Sequence, residues 1–186
     1  MLPVLDDSTR DALLTLARDS IMSAFRGSGA SGPEIPPALA AASAAGAFVT
    51  LKRSGRLRGC IGRMEGGGPI PELIAEMARS AAFEDPRFHP LAAGELDECS
   101  IEITLLGPRQ GIGSIEEIEV GRHGVWLSMR GRSAVFLPQV ATEQGWDRKQ
   151  LLDELTAKAG LPPGSWAEAN ATLMIFEGLA FGEPED

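Results

Sequence analysis

Two stretches constrain this chain more than any others: "GAFVTLKRSGRLRGCIG" (46–62) and "HGVWLSMRGRSAVFLPQV" (123–140). Each places β-branched and aromatic residues on either side of a tight-turn signal, Ser54-Gly55 in the first and Arg130-Gly131 in the second. Runs of this kind pair antiparallel through short turns, so a sheet built on them is mainly antiparallel. "ECSIEITLLGP" (98–108) alternates Cys99, Ile101, Ile103 and Leu105 against Ser100, Glu102 and Thr104, the period of a strand with one apolar face. "TLMIFEGLAF" (172–181) reads as a closing strand. Helical spacing marks 6–25, with Asp and Ser as candidate caps, and 69–83, with proline at its start. It also marks 146–160, where Asp147 is placed to cap and Gly160 to stop.

Helices and hairpins that mix without regular βα alternation predict an α+β fold, a mainly antiparallel sheet with flanking helices. A single domain over 1–186 is expected, with room for two subdomains. Residues 27–45, rich in Gly, Ser, Pro and Ala, are expected as a surface loop with at most a short helical turn. In the first hairpin, period two puts Leu57, Gly59 and Ile61 on one face and Arg58, Cys60 and Gly62 on the other. Leu57 and Ile61 are then core anchors, and the glycines at 66–68 form a hinge into the next helix.

The formal net charge of -9 disfavours a nonspecific grip on nucleic acid, although Lys52, Arg53, Arg56, Arg58 and Arg63 gather loosely. No apolar run approaches a membrane span, the opening residues lack the pattern of a secretory signal, and the two cysteines read as thiols. A cytoplasmic location is expected.

Cys60 is the sharpest chemical candidate, because a thiol turns nucleophilic when a cation or donor network stabilises its thiolate and Arg58 is expected on its face. The flanking glycines equally fit a thiol that merely packs. His123 is a candidate base for Cys60 or a locally bonded strand entry, and His89 is a second base or an exposed turn residue. Arg87 in "EDPRF" suits a carboxylate or phosphate, or an internal pair with Glu84 or Asp85. Glu143, Gln144 and Trp146 in "TEQGWD" could line a cleft, while Asp147 fits a cap, Trp146 also fits a core and Cys99 reads as a small core hydrophobe. No P-loop, Gly-x-Gly-x-x-Gly, Gly-x-Ser-x-Gly or zinc spacing is present in the sequence, so no cofactor and no metal are expected.

"GAFVTLKRSGRLRGCIG", "AAFEDPRFHPL", "IEITLLGP", "VGRHGVW" and "VFLPQVATEQGWD", in that order, resemble the AMMECR1 domain family from about the first helix to the last strand. The resemblance implies two subdomains enclosing a cleft lined by "LRGCIG". It also implies, in bacteria and archaea, the A component of a gene system with a Memo-like protein and a radical S-adenosylmethionine enzyme. Motif matching carries over Leu57, Arg58, Gly59, Cys60, Ile61 and Gly62, then Arg87, His123 and Pro138, and finally Glu143, Gln144, Gly145 and Trp146. His89 departs from the pattern, since relatives commonly have proline there. Two functions follow as expectations. One is a binding or accessory subunit holding a small ligand or peptide, with Arg58, Gly59, Gly62, Arg87, Gln144 and Trp146 as contacts. The other is an enzyme using Cys60 as nucleophile or ligand, with Arg58 on an anion and His123 or Glu143 moving protons.

Overall fold

The structure, a computed structural model, describes residues 2–26, 37–40 and 42–184. The chain forms two compact units, the first comprising Met1–Leu106 with Leu179–Asp186 and the second Gly107–Gly178.

In the first unit, α1 (Asp7–Arg26) begins where the Asp6 carboxylate accepts the Thr9 N–H at 2.9 Å, and its stripe of Leu13, Leu14, Ala17 and Ile21 is buried. Of the expected 27–45 loop, residues 37–40 form the short helix α2 (Pro37–Ala40) and 43–44 the strand β1 (Ser43–Ala44). Residues 27–36 and 41 of that loop lie outside the described residues. The first hairpin is β2 (Gly46–Arg53) and β3 (Arg56–Arg63). Ser54 and Gly55 take φ of 51° and 70°, the left-handed pair that matches a two-residue hairpin turn to strand twist. The glycine run expected as a hinge instead enters a short strand, β4 (Gly68–Pro69), paired antiparallel with β1. A side chain at Gly67 would run into the Ala44 carbonyl, so the run holds a close backbone approach. α3 (Ile70–Phe83) follows with Ile70, Leu73, Ile74, Met77, Ala78 and Ala81 inward, and β5 (Cys99–Leu106) pairs antiparallel with β2.

The second unit holds β6 (Gln110–Gly111), β7 (His123–Met129) and β8 (Arg132–Phe136), the last two joined by Arg130-Gly131 at φ 51° and 75°. The strand expected to run on to Val140 ends at Phe136. Pro138, free of an N–H and fixed near helical φ, opens α4 (Pro138–Gln144), which Gly145 closes in the left-handed conformation. α5 (Arg148–Lys158) starts at Asp147, whose carboxylate accepts the Gln150 N–H while Gln150 accepts the Asp147 N–H. β9 (Thr172–Gly182) gives its first residues to the second unit, beside β7, and its end from Leu179 to the first, beside β5.

Sheet order in the first unit is β3-β2-β5 and then the end of β9. One face carries Ala47, Val49, Leu51, Ile101, Ile103 and Leu105, all buried, and packs under α1 and α3. Each such aliphatic contributes about 1.5–3 kcal/mol on burial, alanine less. The other face, helix-free among the described residues, carries Phe48, Thr50, Lys52, Cys60, Gly62, Ser100, Glu102 and Thr104. Cys99 is buried in the core, as the alternation of its strand predicts. In the second unit, Val125, Leu127, Met129, Leu151, Leu152 and Leu155 form a separate core.

Candidate functional site

The hairpin places Cys60 through its register. Leu51 faces Gly59, but Lys52 faces Leu57, so Arg58 is an extra residue bulged out of the ladder. The bulge breaks the two-residue alternation that the sequence predicts. Leu57 therefore shares the side of Lys52 and is 43% exposed, which corrects its reading as a core anchor; Ile61 does pack against the core.

Arg58 is turned into the scaffold. Its Nε and Nη2 donate to the two carboxylate oxygens of Glu95 at 3.3 and 2.9 Å, its side chain is 14% exposed, and its guanidinium lies 5.9 Å from the centre of the Phe88 ring. The Arg58 bonds, then the Ala92 N–H, hold the Glu95 carboxyl at about 2, well below its ordinary value.

Cys60 is half-buried on the helix-free face, and its Sγ accepts a hydrogen bond from the Thr50 hydroxyl at 3.2 Å across the ladder. Its backbone points to the open edge of β3. There the Cys60 N–H donates to Asp85 Oδ2 at 2.8 Å and the Cys60 carbonyl accepts from Arg87 Nη2 at 3.3 Å. The pair is tied to itself, because Arg87 donates to Asp85 from Nε at 2.9 Å, from Nη2 at 2.7 Å and from its own N–H at 3.1 Å. Asp85 is buried, with 2% of its side chain exposed, and the Arg87 bonds hold its carboxyl far below the carboxylate range against the cost of burial. Of the two uses open to Arg87 in the sequence, the structure displays the internal pair with Asp85. Arg87 also stands 5.5 Å from the Phe88 ring centre, so Phe88 meets two guanidinium groups.

The two glycines of the motif are defined by what lies against them. A side chain at Gly59 would strike the Ala81 carbonyl of α3, and one at Gly62 would strike the Phe48 ring. His89 is exposed in the turn.

The remaining candidates belong to the second unit. His123 Nδ1 accepts the Glu119 N–H at 3.1 Å, the local bond foreseen for a strand entry. Trp146 packs edge-on to Phe136 at 5.4 Å between centroids, against the core of that unit. Glu143 and Gln144 are exposed on α4. The first unit thus brings Arg58, Gly59, Cys60, Gly62 and Arg87 together, and the second holds His123, Glu143, Gln144 and Trp146.

Sequence reasoning missed Thr50, Glu95 and Phe88, whose roles depend on partners distant in the chain. Asp85 was legible in principle: an aspartate two residues before an arginine across a proline is the pattern of a side chain that bonds the backbone two positions on. Among the described residues, no three His, Cys, Asp or Glu side chains are grouped to hold a metal ion, and no helix is long and apolar enough to cross a membrane.

The AMMECR1 family model matches residues 14–181 of the chain. The chain is 40% identical over 182 residues to Protein MK0488 of Methanopyrus kandleri, covering 93% of this chain and 87% of that protein. It is 35% identical over 180 residues to a protein of Methanosarcina acetivorans, covering 91% and 89%. The crystal structure of the uncharacterized protein PH0010 from Pyrococcus horikoshii is similar with a TM-score of 0.84 at 33% identity, covering 96% of this chain and 93% of that one.

Proposed function

The chain belongs to the AMMECR1 family, and from that premise we propose that it is a binding or accessory subunit whose contact surface is the helix-free sheet face around Cys60. The observation that carries this reading is how the motif spends its charges. Arg58 is committed to Glu95 and Arg87 to Asp85, so both guanidinium groups build the scaffold that fixes the β3 edge. What remains on the face is a strip of modest polar groups, Thr50 and Cys60 beside the Lys52–Glu102 pair at 3.4 Å. Such a strip suits recognition more than proton transfer. The partners this reading takes from the family resemblance are a Memo-like protein and a radical S-adenosylmethionine enzyme in the cytoplasm, with a small ligand or peptide as what is passed between them.

Co-purification of the tagged chain with those two proteins, expressed together, tests the reading. Thr50→Arg, which puts a long charged side chain on the strip, is expected to abolish it, and Cys60→Ser is expected to keep it. Retention by Thr50→Arg, with the variant's thermal melt unchanged, overturns the docking face.

One observation favours a second reading. The Thr50 hydroxyl donates to Cys60 Sγ at 3.2 Å, a bond that orients the sulfur on a half-buried part of the face as a nucleophile would need. Turnover by the isolated chain, lost in Cys60→Ser, would establish the enzyme in place of the accessory subunit.

A further inference from the structure

The chain has three lysines, Lys52, Lys149 and Lys158, and their surroundings differ. Lys52 pairs with Glu102 at 3.4 Å, and Lys149 pairs with Asp153 at 2.6 Å one turn along α5. Lys158, the last residue of α5, has no carboxylate partner among the described residues. Its Nζ donates to the Val135 carbonyl at 2.9 Å and stands 4.4 Å from the centre of the Phe136 ring, while the residue stays exposed at the β8 edge. We propose that Lys158 is an acylation site, the lysine of this chain that takes an acyl group from a small acyl phosphate.

An amine attacks only through its lone pair, so the lysine that reacts first is an exposed one whose ammonium is least stabilised. A carboxylate beside a lysine favours the charged form, and the Asp153 bond raises Lys149 in this way. Around Lys158 no anion does so. Glu154, one turn earlier on α5, and Arg132 of β8, which bonds the Gly160 carbonyl, make no ion pair with it. Burial against the strand edge pushes the Lys158 ammonium down, and no charged neighbour offsets that. The Phe136 ring attracts the cation but, unlike Glu102 or Asp153, carries no net charge. The Val135 carbonyl accepts an N–H from the neutral amine as well, so the side chain keeps its place once the proton is gone. In the acylation step the Nζ lone pair forms the N–C bond and the bond from the acyl carbon to the phosphate oxygen breaks. Inorganic phosphate leaves with that electron pair, and the amine proton passes to water. The amide product is neutral, so the step also removes the charge that guards the β8 edge.

The test is incubation of the full chain with limiting acetyl phosphate, the modification of each lysine being read by peptide mass spectrometry. Near neutral pH, acetylation is expected about three-fold faster or more at Lys158 than at Lys52 or Lys149. The excess is expected to shrink as pH rises past about 10.4, the ordinary lysine value, with tryptophan fluorescence showing the chain still folded. It is expected to vanish in the urea-unfolded chain. Asp153→Asn, which keeps an oxygen for the Trp166 N–H, is expected to speed Lys149 and leave Lys158 unchanged. Equal rates in the folded chain, an excess that stays constant with pH as mere accessibility would give, or no gain at Lys149 in Asp153→Asn would overturn the inference. Lys158 belongs to the second unit and the docking strip to the first, so failure of either reading leaves the other standing.

Discussion

At the scale of single residues, the motif around Cys60 is held by steric and electrostatic demands that leave little freedom. Gly59 is the sharpest case, since any Cβ there meets the Ala81 carbonyl of α3, a backbone atom that cannot turn aside. Gly59→Ala must push the hairpin off the helix, and overpacking of this kind costs about 1–3 kcal/mol. A urea melt of the variant is expected to show that loss with an unchanged m-value, and a difference below about 0.5 kcal/mol would show that the helix yields without strain. Some residue roles were legible in the sequence because they depend on near neighbours: Asp147 caps its own helix, and Cys99 follows the alternation of its strand. Arg58 was not, because a bulge inserts one residue into a ladder without leaving a mark in the apolar pattern, and every face assignment on its far side then inverts.

At the scale of elements, both outer strands are blunted by side chains. The β3 edge is closed at Cys60, where the Asp85 carboxylate stands in for a neighbouring carbonyl and the Arg87 guanidinium for a neighbouring N–H. On β8, Lys158 donates to the Val135 carbonyl at 2.9 Å. Open strand edges invite pairing with other chains, and these plugs remove the invitation. Arg87→Ala takes the counter-ion from the buried Asp85 carboxylate, and because Arg87 is itself 56% exposed the expected loss is about 1–3 kcal/mol, below that of a fully buried pair. The double variant Asp85→Ala/Arg87→Ala removes that stranded charge, so it is expected to be less destabilised than the sum of the two single variants. A double-mutant cycle by chemical denaturation checks this, and additivity within about 0.3 kcal/mol would show that the two side chains act independently. The hairpins themselves were legible because their turns demand left-handed residues, which Ser54-Gly55 and Arg130-Gly131 supply. The end of the second hairpin was not, since Leu137 and Val140 continue an apolar run while Pro138 quietly opens a helix.

At the scale of the whole molecule, the depressed carboxylates are unevenly distributed. Asp85 and Glu95, the two held furthest below their ordinary values, both belong to the first unit. In the second unit the ion pairs Arg122–Glu119, Arg122–Glu177 and Lys149–Asp153 are solvent-exposed, so screening by water and salt leaves them little weight. A carboxyl whose folded pKa lies below its unfolded value adds stability that is complete above the unfolded value and is lost as pH falls towards the folded one. For Glu95 the loss spans 4.5 down to about 2, and for Asp85 it begins near 3.8 and continues below that window. Acid should therefore weaken the first unit before the second. The sequence offers a convenient reporter, because all three tryptophans, Trp126, Trp146 and Trp166, lie in the second unit. On titration from pH 5 to about pH 2.5, hydrogen exchange is expected to speed up in β2, β3 and β5 while tryptophan fluorescence lags behind. Glu95→Gln should flatten the part of the decline between about 4.5 and 2. Coincident loss of exchange protection and fluorescence would show that the acid sensitivity is shared by both units and does not originate in the carboxylates that frame Cys60.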